Sequence, residues 1–229
     1  MIGMISDSEI VKYLDEYLRV EDIEDYGTNG IQIDAPKPLE KIGFTVDCRI
    51  DVVNKAVQEG IDILFCHHGL IWGGLNTVTE SNYDIIKLLM DNDTALYMAH
   101  LPLDIHLEIG NNAELARLIG ADFEDTFHES KGVEVALISE LPEERYVRDI
   151  TSLLSEELDT ETVALQENVK VKKVGIMTGK GGDALEESKG KDLDLFITGE
   201  REHSVYTTAV NIGMPIIMAG HYATETLGV

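Results

Sequence analysis

The stretch Ile61-Asp62-Ile63-Leu64-Phe65-Cys66-His67-His68-Gly69 decides how the rest of the chain is read. Its nearly unbroken apolar run suits a central strand covered on both faces of a parallel sheet. In open α/β folds ligands gather outside the carboxyl ends of strands, so a strand ending in two imidazoles marks a place for chemistry. Adjacent side chains on an extended strand point to opposite sides. Either the chain turns at Gly69 and both rings reach one centre, or each ring serves a different metal of a close pair. Imidazole is a common ligand of Zn, Fe, Mn and Co ions. For a His-His couplet alone, one core histidine beside one solvated histidine is the plainer reading, and partners must decide.

Outward from this strand the pattern alternates between periods of two and 3.6 residues. Upstream, Ser6-Asp7-Ser8-Glu9 resembles a capping box, followed by Ile10, Val11, Leu14, Tyr17 and Leu18 on one helical face. Thr28-Asn29-Gly30 reads as a turn, Gly30–Ile33 and Ile42–Val46 as strands, and Asp51–Gln58 as a helix stopped by Gly60. Downstream, Tyr83–Met90 reads as helix, Thr94–Ala99 as an apolar strand, and Asn111–Ile119 as a helix ended by Gly120. A second unit follows, with strands at Val133–Ile138, Lys172–Met177, Leu193–Ile197 and Pro215–Met218 and helices at Glu143–Leu158 and Glu202–Val210. Residues 163–172 suit strand or loop equally. The alternation predicts an α/β class: two three-layer α/β/α domains with mainly parallel or mixed sheets. The domains are placed at 1–127 and 128–229, the final Gly220-His221-Tyr222-Ala223-Thr224-Glu225 segment returning to the metal site. There is no short-period repeat, but two βα halves of similar size are compatible with a distant duplication.

Two more strand ends supply partners for the couplet. Thr94–Ala99 runs into His100-Leu101-Pro102-Leu103-Asp104, where Pro102 breaks the extended run and lets Asp104 swing over the sheet edge. Asp is also common in ordinary turns. In Gly220-His221-Tyr222-Ala223-Thr224-Glu225, a helical turn would set His221 and Glu225 at i and i+4, ~6 Å apart on one face; an ordinary surface pair is the plain alternative. Together His67, His68, Asp104, His221 and Glu225 mix imidazole and carboxylate in a way that suits two divalent ions ~3.5–4 Å apart. Cys66 reads as a buried small hydrophobe, and His106 and His128 as solvated. Gly179-x-Gly181-Gly182 lacks a full phosphate-loop pattern and reads better as a tight βα turn. Glu200 stands where a general base could stand, with His203 a helical turn away.

Composition narrows the function. The 229 residues carry a net charge of −25 from 43 acidic and 18 basic side chains. Such a surface repels phosphate backbones, so nucleic acid is not expected as a partner. No apolar run reaches the ~18 residues of a membrane span. The N-terminus lacks the basic region and cleavage site of a signal peptide. With two cysteines, Cys48 and Cys66, outside any Cys-x-x-Cys pair, a cytoplasmic location is expected.

The motifs also carry a resemblance. Asn29-Gly30-Ile31-Gln32, Cys66-His67-His68-Gly69-Leu70-Ile71-Trp72, Ala99-His100-Leu101-Pro102-Leu103-Asp104, Gly110-Asn111-Asn112, Asp194-Leu195-Phe196-Ile197-Thr198-Gly199-Glu200 and Gly220-His221-Tyr222-Ala223-Thr224-Glu225 occur in the order found in the NIF3-like family, also called domain of unknown function 34. The resemblance implies two divalent cations per subunit (Zn, Fe, Mn or Co) on the residues matching His67, His68, Asp104, His221 and Glu225. It also implies two α/β domains and a homohexameric ring, a trimer of dimers. Family members often carry the label GTP cyclohydrolase 1 type 2 homologue. Family chains usually continue well past the residue matching Glu225, whereas this sequence ends at Val229, so a final helix of about a turn and a half is expected. The function expected is a metal-dependent hydrolase of a nucleotide-like or phosphorylated small molecule, with Glu200 or His100 relaying the proton. The alternative is a non-enzymatic metal-binding, metal-delivery or scaffold protein.

Overall fold

The computed structural model describes residues 7–74 and 77–229, and side chains from residue 9 onward. The expected cap at Ser6 lies outside the described residues. The chain divides into two compact units, one running to Leu103 and taking in Val229, the other Asp104–Gly228. The division falls earlier than the 127/128 expected from sequence. The helix at 111–119 and the strand at 122–130 both belong to the second unit's layers, and a cut at 127 would sever that strand.

The first unit contains α1 (Asp7–Tyr17), β1 (Gly30–Ile33), β2 (Ile42–Asp47), α2 (Ile50–Gln58), β3 (Ile63–His68), α3 (Glu80–Asp91) and β4 (Ala95–Met98). Its sheet has the order β1-β4-β3-β2, with β2, β3 and β4 parallel and β1 antiparallel at the edge. The apolar run anticipated around residues 61–66 is β3, whose first five residues are buried. Leu64, Cys66, Leu96 and Met98 point to one face and pack against Val53 and Ala56 of α2 and Ile85 and Leu89 of α3. Burying side chains of this size contributes roughly 1.5–3 kcal/mol each. On the other face the Tyr97 hydroxyl donates to Asp15 of α1 at 2.8 Å. Burial and that carboxylate hold the Tyr97 phenol well above its ordinary pKa.

A short helix, α4 (Leu101–Asp104), spans the unit boundary. The second unit follows with α5 (Asn111–Ile119), β5 (Asp122–Ser130), β6 (Val133–Tyr146), α6 (Val147–Glu157), β7 (Val163–Leu165), β8 (Lys170–Met177), α7 (Leu185–Ser188), β9 (Leu195–Thr198), α8 (His203–Ile212), β10 (Ile216–Met218) and α9 (His221–Glu225). Its sheet order is β5-β6-β8-β9-β10-β7, with β8, β9 and β10 parallel. Alternation along the strands builds two cores. Val174, Ile176, Leu195, Ile197 and Ile217 pack under α5 and α6, while Phe196, Ile216 and Met218 pack under α7 and α8. The expected three-layer α/β/α arrangement is thus seen in this unit. The helix expected to begin at Glu143 starts only at Val147, because residues 143–146 finish β6, where Arg145 and Tyr146 pair with Val171 and Lys170 beyond a bulge. His106 and His128 are half-buried instead of solvated. His106 Nδ1 accepts the backbone N–H groups of Glu108 and Ile109, and His128 pairs with Glu187 at 2.8 Å.

The two units repeat one plan. The succession α1-β1-β2-α2-β3-α3-β4 recurs as α6-β7-β8-α7-β9-α8-β10, and the order β1-β4-β3-β2 recurs as β7-β10-β9-β8. The likeness extends to single bonds. Asp62 Oδ2 accepts from the N–H groups of Glu40 and Lys41 at 3.0 and 2.9 Å; Asp194 Oδ2 accepts from those of Lys172 and Lys173 at 3.0 and 2.9 Å. Lys41 Nζ donates to the carbonyl of Glu59, and Lys173 Nζ to that of Lys191. Gly43 lies opposite Leu64 as Gly175 lies opposite Phe196. Ala99 N donates to Cys66 O, and Ala219 N to Thr198 O. Such agreement in register and side-chain chemistry is what a distant duplication, compatible with the sequence, would leave, and the second unit carries α5, β5 and β6 in addition.

Candidate metal centre

In each unit the chemistry-bearing residues sit where β3 and β4, or their counterparts β9 and β10, end. In the first unit His67 and His68 close β3, and His100 follows β4. The three rings cluster, with centroids 4.5 Å (His67–His68), 5.1 Å (His67–His100) and 5.7 Å (His68–His100) apart. Each offers a ligand atom within 4.8 Å of the others. The couplet therefore converges instead of splitting across the sheet.

Every ring is fixed by an acceptor at Nδ1. His67 Nδ1 lies 3.0 Å from the carbonyl of Ala99, His68 Nδ1 2.9 Å from Asp47 Oδ1, and His100 Nδ1 2.9 Å from Asp25 Oδ1. A carbonyl oxygen only accepts, and an ionised carboxylate only accepts, so Nδ1 carries the proton and the lone pair lies on Nε2. That arrangement is the usual outer support of a metal-binding imidazole.

Asp25 was not singled out by sequence, although it organises His100. Its carboxylate also accepts from Asn29 Nδ2 and from the N–H groups of Tyr26 and Leu101, while Asn29 Oδ1 accepts from His100 N. Burial pushes the Asp25 pKa up, but the bonds from His100, Asn29 and Leu101 outweigh it and hold the carboxyl below its ordinary value. Asp47 was likewise missed; it is the last residue of β2, directly opposite His68 in register. Its position one residue past the expected strand end was the available signal.

In the second unit His221 and Glu225 lie on the five-residue α9, with Nε2 and Oε1 3.0 Å apart, as the i, i+4 spacing predicts. His221 Nδ1 is 2.8 Å from Glu200 Oε1. The Glu225 carboxylate, opposed by burial and aided by Glu200, raises the His221 pKa to about 9. Asp104 is held by Asn111 Nδ2 at 2.8 Å, and its carboxylate lies within 4.8 Å of that of Glu225. Asn111 and Asn112 are both buried. Asn111 Oδ1 also accepts from Gly228 N, and Asn112 Oδ1 from Thr178 N and Oγ1.

Close backbone approach makes room for α9. At Gly179 (φ +59°) an added Cβ would lie 2.1 Å from Glu225 Oε1 and 3.2 Å from His221 Nε2. Gly179 N donates to Thr224 Oγ1 and Gly181 N to Thr198 Oγ1. The Gly179–Gly182 run is therefore a tight turn supporting the helix, as the sequence favoured, with the Gly179 and Gly181 amides used inside the fold. Cys66 is buried in the apolar core, its Sγ 3.3 Å from the Tyr97 carbonyl.

Mixed sheets with imidazoles and carboxylates gathered at strand ends define an α/β protein carrying candidate metal-ligating side chains in both units. The chain belongs to the Duf34/NIF3 (NGG1p interacting factor 3) family, whose sequence profile matches residues 5–229. It is 41% identical over 226 residues to a Pyrococcus abyssi protein named GTP cyclohydrolase 1 type 2 homolog, covering 96% of this chain and 89% of that one. A Halobacterium salinarum protein of the same name is 37% identical, covering 97% and 90%. Among solved structures, a Thermus thermophilus protein matches with a TM-score of 0.86 and 34% identity, covering 98% of this chain and 90% of that one. The ybgI protein, described as of unknown function, matches with a TM-score of 0.90, 29% identity and the same coverage. Among the described residues no helix is long and apolar enough to cross a membrane.

Proposed function

We propose that His67, His68, Asp104, His221 and Glu225 hold two divalent cations, drawn from Zn, Fe, Mn or Co, and that the protein is a metal-dependent hydrolase of a nucleotide-like or phosphorylated small molecule. The observation that supports this best is the repeated anchoring of imidazole Nδ1 by Ala99 O, Asp47, Asp25 and Glu200. Surface histidines do not need four separate acceptors; ligands that must present Nε2 in one tautomer do. The donor set of neutral imidazoles and carboxylates fits borderline divalent ions.

When bound, such ions supply Lewis acidity and a water nucleophile at neutral pH. The chain's own groups then divide the remaining work. Asp47 and Glu200 orient His68 and His221, so Glu200 acts as a positioning residue instead of the base expected from sequence. His100, with Nδ1 on Asp25, takes the proton from the attacking water at Nε2 and returns it to the leaving group. Asp25 stabilises the imidazolium that forms. We further propose a cytoplasmic homohexameric ring, as the family resemblance implies; light scattering coupled to size exclusion tests the stoichiometry.

The deciding experiment is elemental analysis alongside a phosphoester and cyclic-nucleotide panel. The wild type should carry close to two metals per chain. His67→Ala and Glu225→Ala should lose metal and turnover together, whereas His100→Gln should keep metal and lose turnover. Absence of bound transition metal overturns the metal reading. Full metal with no turnover across the panel favours a metal-delivery protein instead.

A further inference from the structure

The chain has a single tryptophan, and it stands at the edge of the histidine cluster. The Trp72 ring centroid is 5.0 Å from that of His100, edge-on at 74°, and 6.1 Å from that of His68. Despite this company Trp72 is 40% exposed. An exposed indole in a flexible loop would deserve no comment, but this one is held from several directions. Its Nε1–H donates to the carbonyl of Gly69 at 2.9 Å, so the part left to solvent is apolar ring. Its backbone forms a bridge with Gly27, flanked by bonds from Thr28 N to Ile71 O and from Gly73 N to Tyr26 O. A Cβ on Gly27 would lie 3.2 Å from two carbons of the ring and 2.2 Å from Met98 Cε, so the missing side chain lets the backbone lie this close without displacing either.

One buttress is a single side-chain amide, which also reaches Met98 Sδ at 3.0 Å. Gln32 Oε1 accepts from the N–H groups of Leu70 and Ile71, and Gln32 Nε2 donates to the carbonyls of Thr28 and Ile71. A single amide thus ties the loop carrying Trp72 to the turn facing it. Immobilising a large apolar surface before any ligand arrives lowers the entropy cost of binding. A planar aromatic face is complementary to another planar ring, because stacking works with any π-face and needs no charge. In a chain of net charge −25, a neutral contact of this kind is the recognition that long-range repulsion spares.

We propose that Trp72 is a stacking platform for a planar heteroaromatic ring, so that the substrate is ring-bearing, of the nucleobase class, and is positioned with its reacting group beside the histidines. This rests on the reading of the cluster as a metal-dependent catalytic centre. Trp72 is here a positioning residue: it touches the ring and not the reacting atoms.

The test uses Trp72 as its own reporter, because all tryptophan emission of the full chain comes from it. Zinc-loaded and chelator-treated protein are each titrated with guanosine and GMP, and separately with ribose 5-phosphate and inorganic phosphate. Ring-bearing ligands should quench the emission saturably, and the ringless ones should not. By calorimetry, Trp72→Phe should retain most of the GMP affinity and Trp72→Ala should lose about 5- to 150-fold, with metal content unchanged in both. Equal quenching by ribose 5-phosphate, unaltered affinity in Trp72→Ala, or no response to any ring-bearing ligand overturns the platform. The two readings fail separately. Wild type without retained metal sinks the metal centre, while saturable quenching by guanosine would still uphold the platform. Wild type with metal but no ring-dependent quenching sinks the platform alone.

Discussion

His100 and Asp25 form a pair in which the imidazole is mostly covered and the carboxylate side chain has no exposure at all: Nδ1 lies 2.9 Å from Oδ1. The carboxylate also serves Asn29, Tyr26 N and Leu101 N. Removing it in Asp25→Ala strands those donors and should cost about 3–5 kcal/mol by urea unfolding. Because the folded Asp25 pKa is depressed, its contribution is present above the ordinary carboxylate value of 3.8 and is lost as pH falls through the folded pKa. The gap between wild type and variant should therefore be full at neutral pH and narrow in acid. A gap independent of pH would show that the carboxylate's charge is not what His100 needs.

His221 supplies a second pH signature. In the metal-free protein its pKa is raised to about 9, chiefly by Glu225. A raised pKa means stability that is fully present below the unfolded value of about 6.5 and lost as pH rises through 9. A cation at Nε2 must displace that proton. Zinc affinity should therefore climb about tenfold per pH unit below 9 and flatten above it. Calorimetry in buffers of different ionisation enthalpy should count the released proton at neutral pH. Glu225→Gln should flatten the profile at lower pH.

The strands and helices most legible in the sequence were those whose apolar pattern was undisturbed. β1 and α5 fall on the residues expected, and β3 and β4 shift by two residues or fewer. β5 escapes a sequence reading because Asp122–Ser130 is largely exposed and acidic, so it lacks a buried alternation. The histidines and Glu225 could be picked out because ligand chemistry limits residue type. Their supports could not. Asp25, Asp47 and Asn111 are ordinary turn and cap residues in sequence, and become special only through register across strands or through contacts distant in the chain. The repeat is legible only coarsely, as two βα halves of similar size, because the shared Asp62 and Asp194 are a single short side chain each in unremarkable surroundings.

Gly179 isolates the link between backbone and candidate ligand. Gly179→Ala puts a Cβ 2.1 Å from Glu225 Oε1 at a φ of +59°. The left-handed conformation alone costs roughly 1–2 kcal/mol for a residue with a side chain. Gly132→Ala, at φ +78° with no atom within 4 Å of the new Cβ, has the same backbone strain and no ligand beside it. Both variants should lose stability in urea, Gly179→Ala the more because its Cβ also meets Glu225, but only Gly179→Ala should release metal by elemental analysis. Equal metal retention in the two would mean that α9 shifts without disturbing Glu225.

The duplicated aspartates provide a test of the repeat as an energetic unit. Asp62 and Asp194 each cap two backbone N–H groups at the start of the preceding parallel strand. Asp62→Ala and Asp194→Ala should each cost about 0.5–1.5 kcal/mol per hydrogen bond lost, since the N–H donors are solvent-accessible. Asp62 should cost more, because it also pairs with Lys37 at 2.8 Å. Burial raises the Asp62 pKa, but Lys37 and the two N–H groups prevail and hold it below 3.8. Its charge-dependent share is then present above 3.8 and fades as pH falls through the folded value. Asp62→Asn keeps an acceptor but no charge, so it should match the wild type in strong acid and fall behind it at neutral pH. Adding Lys37→Met to Asp62→Asn should cost little more, since the charged partner is already gone. If the two losses simply added, the Lys37 pair would be a surface contact of no consequence, and the cap alone would be the element conserved between the two copies.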